Sequence, residues 1–92
     1  MSNKENEIMN ILSEECAEVI QSISKCNRFG MENLKPGYGK TNREHLADEL
    51  GDVLAMIDIM LEHAIITGDK LDEAKQKKFD KLKRWSTIYE QN

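Results

Sequence analysis

Residues 42–67 read NREHLADELGDVLAMIDIMLEHAIIT, and this stretch decides the fold class. Leu46, Leu50, Val53, Leu54, Ile57, Met60, Leu61 and Ala64 recur at helical spacing and form one apolar face. Thr41-Asn42-Arg43-Glu44, just before them, is a capping box. The spacing predicts a helix from Asn42 to about Thr67. At the edge of its apolar face stand Glu49 and, one turn on, Asp52.

The segment upstream repeats the arrangement. Ile8, Leu12, Cys16, Val19, Ile20 and Ile23 predict a helix from about Glu7 to Asn27. Glu15 lies at the edge of that face, with Glu18 one turn further on, while Glu14 is a less central acid. Between the two helices, residues 28–40 hold Phe29-Gly30 and Pro36-Gly37-Tyr38-Gly39, which interrupt any helix. Gly68 is expected to stop the second helix. Asp69, with Asp72 in the capping-box position, is expected to cap a third, whose narrower stripe is Leu71, Ala74, Leu82, Trp85 and Tyr89. The fold class is therefore all-α, with three main helices per chain forming a bundle completed by oligomerisation.

Composition agrees. The 92 residues are 39% hydrophobic, 33% charged and 5% aromatic, with one proline. That suits one small domain over residues 1–92, made of helices with one wet face. A core this small often borrows burial from other copies. No apolar run is long enough to span a membrane, and the polar start of the chain lacks a signal peptide's apolar segment. Cys16 and Cys26, on one helix and about 15 Å apart, cannot bridge each other; buried, reduced thiols of a cytoplasmic protein are expected. A net charge of −4 argues against nucleic acid as partner, though a bound cation would admit a phosphorylated substrate.

Two acidic pairs at equivalent edges of consecutive amphipathic helices point to a metal site. Facing each other without a cation, Glu15, Glu18, Glu49 and Asp52 would repel and lose hydration. Mg²⁺ or Mn²⁺ suits such an all-oxygen set. A di-iron bundle would want Glu-x-x-His pairs, and Glu62 is followed three residues later by Ile65. Gly39-Lys40-Thr41 resembles the tail of a P-loop but lacks the earlier glycine, Leu34 standing in its place. His45 and His63 read as surface or supporting histidines. Lys25 and Arg28 run from the acidic face into the loop, within reach of phosphate oxygens, and Lys78 stands in an otherwise apolar sector of the third helix.

At the acidic pairs, Glu14-Glu15-Cys16-Ala17-Glu18 and Asp48-Glu49-Leu50-Gly51-Asp52-Val53-Leu54, the sequence resembles the MazG-like all-α nucleoside triphosphate pyrophosphohydrolases. The likeness is good over the first two helices. It is weaker over the third, where Ala74, Lys78 and Lys81 fit a pattern of basic residues while Leu82 replaces a frequent asparagine. The Arg28-Phe29-Gly30 loop and short length look like the small, often phage-encoded members. The resemblance implies Mg²⁺-dependent hydrolysis of a (deoxy)nucleoside triphosphate, with dGTP and GTP suggested, to the monophosphate and pyrophosphate. It implies that Glu15, Glu18, Glu49 and Asp52 hold the metal and carry catalysis. A bound cation can acidify water to make the nucleophile; alternatively one of the four carboxylates, Glu18 for example, could act as general base. The resemblance further implies that the basic residues of the third helix, Lys78 and Lys81, bind substrate in a homodimer or homotetramer; with Lys25 and Arg28, read from their place on the first helix, they make the expected substrate-binding set, and the (host) cytoplasm is the expected location. Two alternatives remain open: a non-enzymatic helical interaction module, and a related hydrolase acting on phosphoribosyl-ATP or nucleoside diphosphates.

Overall fold

Ser2 starts the first helix. Its side chain accepts the Glu5 N–H at 3.1 Å, and α1 runs Asn3–Phe29, longer at both ends than periodicity suggests. The extra N-terminal turn comes from this cap and from Glu5 within it, where a carboxylate favours the helix dipole. Gly30 ends α1 with φ 94°, and its N–H donates to the Cys26 carbonyl at 2.9 Å. The structure is a computed structural model in which residues 2–34, 37 and 39–91 are described.

The connection is tied down at its base. Leu34 and Thr41 form an antiparallel bridge. The Asn42 and Arg43 N–H groups donate to the Asn33 and Met31 carbonyls at 2.9 and 2.8 Å. Buried Asn42 also donates from its side-chain amide to the Gly30 carbonyl at 2.9 Å, and its own carbonyl accepts the Cys26 thiol at 3.6 Å. One asparagine thus joins the end of α1 to the start of α2, Asn42–Glu62. Both halves of the Thr41–Glu44 capping box form.

The second helix is shorter than expected. It ends at the His63 cap, where Ala64 turns into the left-handed region at φ 55°. The Ile65 N–H then reaches back to the Met60 carbonyl at 2.9 Å. This hook exists because Ile65 and Ile66 fold onto the core of Ile8, Met56 and Met60, which Met9, Leu12 and Ile59 also border. Thr67, not Asp69, caps α3: its side chain accepts the Lys70 N–H at 3.3 Å. Gly68 accordingly begins α3, Gly68–Trp85, instead of merely ending α2. Tyr89 lies beyond this helix.

The described residues form three helices and no strand beyond the single bridge, so the all-α expectation holds. None of the helices is long and apolar enough to cross a membrane. The antiparallel α1 and α2 pack along each other, whereas α3 barely touches either and buries no residue. The result is a slab of 41 × 38 × 15 Å, close to one helix thick. Cys26 is buried as expected, but Cys16 is exposed. It belongs with Ile20 and Ile23, which are exposed as well, to the part of the α1 stripe outside the α1–α2 seam.

Candidate metal centre

Halfway along the α1–α2 seam, three carboxylates converge. Glu15 of α1 and Glu49 and Asp52 of α2 each offer an oxygen, all within 4.8 Å of one another. Glu15 and Glu49 are half-buried because both sit where an apolar stripe turns polar; Asp52 is exposed. Desolvation, with the Asp52, Glu49 and Glu18 charges and a hydrogen bond to Asp52, pushes the Glu15 carboxyl above its ordinary pKa. The cluster therefore resists holding its full negative charge. Oxygen donors alone, a mixture of sheltered and open ligands and this unrelieved repulsion all fit a hard divalent cation.

Glu18 stands outside this triad. Three residues along a helix leave it about 60° round from Glu15, and it lines a neighbouring cavity of about 160 Å³ with Glu49, Lys25, Gln21, Ser22, Asn42 and His45. Glu18 still contributes to the field on Glu15. Sequence reasoning had not singled out Gln21. Asn42 reads as an ordinary first helical residue, and only the fold of the connection back over it reveals its burial.

The remaining candidates separate. Lys25 lines the cavity. Arg28 lies over the Phe29 ring, 4.9 Å from its centroid. Lys78 and Lys81 are on α3, where Lys81 shares a groove with Lys77, Asp80 and Arg84; α3 does not pack on the carboxylate seam of its own chain. Lys40 forms a 2.6 Å ion pair with Asp48, which holds the Asp48 carboxyl below its ordinary range. Asp48, adjacent to Glu49 but turned about 100° round α2 from it, thus meets the connection and is not among the converging acids. His63 is the exposed cap of α2.

The family model of the MazG nucleotide pyrophosphohydrolase domain matches residues 3–86, the acidic pairs and all three helices included. The chain belongs to the MazG nucleotide pyrophosphohydrolase family. No curated protein and no solved structure matches it. For a MazG domain, nucleotide pyrophosphohydrolase activity is the general expectation, and the Glu15–Glu49–Asp52 cluster is its candidate divalent-metal site.

Proposed function

We propose that this MazG domain hydrolyses a nucleoside or deoxynucleoside triphosphate, with GTP and dGTP the first candidates, to the monophosphate and pyrophosphate. The observation that carries the reading is the convergence of Glu15, Glu49 and Asp52 beside a polar cavity. These three, with Glu18 one turn along, would hold Mg²⁺, or Mn²⁺ in its place. When bound, such a cation neutralises charge developing on phosphoryl oxygens and makes water more acidic.

The chain's own groups supply the rest. Water adds at one phosphorus of the anhydride, the bond to the bridging oxygen breaks, and a carboxylate accepts the water's proton. Glu18, which lines the cavity as Glu49 does, is our candidate to accept it. Lys25, which lines the cavity, donates to phosphate oxygens, and Arg28 extends the same side of α1. The amides of Gln21 and Asn42 and the Ser22 hydroxyl offer donors and acceptors to the nucleoside. Lys78 and Lys81 join the polyphosphate from a neighbouring copy, in a homodimer or homotetramer, since their own α3 lies away from the seam.

Pyrophosphate release across a nucleotide panel, with the products identified, tests the reading. Asp52→Asn and Glu49→Gln should each lower turnover by more than about 100-fold while leaving the helical circular-dichroism signal intact. Mg²⁺ should raise the wild-type melting temperature beyond a sodium control of equal ionic strength. Turnover by the variants equal to wild type would remove the carboxylates from the reaction. A panel cleaved only at phosphoribosyl-ATP or at diphosphates would replace the substrate.

A further inference from the structure

The cavity beside the triad has a rim and a floor. Glu18, Gln21 and Lys25 line it from the exposed face of α1, whereas Ser22 and Asn42 lie beneath, 7% and 5% exposed. These two are the buried polar residues among the described ones, and both line this one cavity. Asn42 precedes Glu49 by two turns of α2, which sets it about 10 Å along the helix from the carboxylates. The floor thus lies toward the connection, at the end of the cavity away from the metal centre.

Asn42 is held at every polar group but one. Its backbone N–H donates to the Asn33 carbonyl at 2.9 Å, and its carbonyl accepts the Cys26 thiol at 3.6 Å. Its side-chain nitrogen donates to the Gly30 carbonyl at 2.9 Å. A carbonyl can only accept, so this bond decides which way round the carboxamide sits: the nitrogen meets Gly30 and the oxygen is turned from it. No described residue donates to that oxygen. A sheltered acceptor of fixed orientation is satisfied by an N–H or O–H of a ligand. Phosphate oxygens and ring keto groups, which carry no proton to give, are repelled by it.

We infer, on the nucleotide reading above, that Asn42 selects the base: its carboxamide oxygen accepts a hydrogen bond from an exocyclic amino group. Bases that carry such a group are taken and their deaminated counterparts refused. For guanine it is the 2-amino group, which hypoxanthine lacks; adenine and cytosine carry theirs where hypoxanthine and uracil have a keto oxygen. The Gly30 contact makes the choice possible. A free asparagine would turn over and meet a keto group with its nitrogen, whereas here turning over would set the oxygen against the Gly30 carbonyl. Ser22, also on the floor, has a hydroxyl that donates and accepts, so it adapts to either kind of base and does not discriminate.

Three substrate pairs isolate the amino group: GTP against ITP, ATP against ITP, and CTP against UTP. In at least one pair the wild type should favour the amino-bearing member by about 10-fold or more in kcat/KM. Asn42→Ala should bring that ratio close to one, and Ser22→Ala should keep it; Asn42→Ser, whose hydroxyl adapts, serves if the alanine variant does not fold. A purely structural role for Asn42 would lower both members of a pair alike and leave the ratio. Equilibrium binding of GMP, AMP and CMP against IMP and UMP should show the same preference without turnover. Equal cleavage within every pair, a preference for the keto member, or a ratio that Asn42→Ala preserves overturns the role of Asn42 and leaves the reaction standing. So does an effect of Asn42→Ala confined to the GTP-to-dGTP ratio, which would put a ribose hydroxyl on Asn42. Amino-bearing monophosphates bound preferentially by a chain that releases no pyrophosphate would overturn the reaction and leave Asn42 in its role.

Discussion

The α1–α2 hairpin and α3 have equally clear amphipathic sequences and opposite fates. The hairpin buries Ile8, Met56 and Met60, closes its connection through Asn42, and shelters the Glu15–Glu49 pair. No residue of α3 is buried, and its stripe of Leu71, Leu82 and Trp85 barely touches the other two helices. Amphipathic spacing reports that a face needs cover; it says nothing about which element, or which molecule, provides it.

Core truncation should separate the two regions most strongly. Met60→Ala removes side-chain volume from the middle of the cluster and should cost about 2–4 kcal/mol in chemical denaturation, at any protein concentration. Leu82→Ala should cost less than about 1 kcal/mol in dilute solution, where α1 and α2 barely touch α3, and more as the concentration rises. Equal losses from both substitutions in dilute protein would show that α3 shares the hairpin's core, and the contrast would fall.

A smaller effect is expected within the hairpin, where the site opposes the fold. Glu15 has a raised pKa in the folded chain, so the native state holds this proton at a pH where the unfolded chain has released it. Its stabilising contribution is complete below the ordinary value of 4.5 and disappears as the pH climbs through the native value. The metal-free wild type should therefore lose stability with rising pH above 4.5, and Glu15→Gln should not share that loss. The variant should melt higher than wild type at pH 7 in chelator, converge with it near pH 4, and lose the advantage in Mg²⁺. A variant less stable than metal-free wild type at pH 7 would mean that the carboxylate supports the seam instead of straining it.

The legible parts of the molecule were those set by helical period. Glu15, Glu49 and Asp52 could be placed because the edge of an apolar stripe is a fixed angle from its centre, wherever the helix packs. Glu18 was less legible: its spacing from Glu15 equals that of Asp52 from Glu49, yet only Asp52 joins the triad, because the way the two helices are turned toward each other, which spacing does not record, decides the outcome. Long-range effects were hidden. The Lys40–Asp48 pair joins a loop to a helix, and the burial of Asn42 depends on where the connection returns. Cys16, Ile20 and Ile23 read as core because periodicity records the apolar face without recording the flatness of a one-layer chain.

The end of α2 was hidden for a different reason, and it supplies the smallest prediction. Thr67 and Asp69 are both good helix caps, so residues 63–69 admit more than one boundary. The choice is made by Ile65 and Ile66, which reach the core only if the chain turns sharply before them. Ala64 makes that turn at φ 55°, a conformation that costs an L-residue with a Cβ about 1 kcal/mol and glycine almost nothing. Glycine in turn loses more freedom on folding, which offsets part of the gain. Ala64→Gly should accordingly stabilise the chain by about 0.5 kcal/mol, read as a higher denaturant midpoint with an unchanged slope. Ala64→Val should go the other way, because a β-branched side chain tolerates the left-handed region worse than alanine. If glycine destabilises instead, α2 continues through residue 64 toward Thr67 as its periodicity suggests, and the hook that carries Ile65 and Ile66 back to the core is not the ground state.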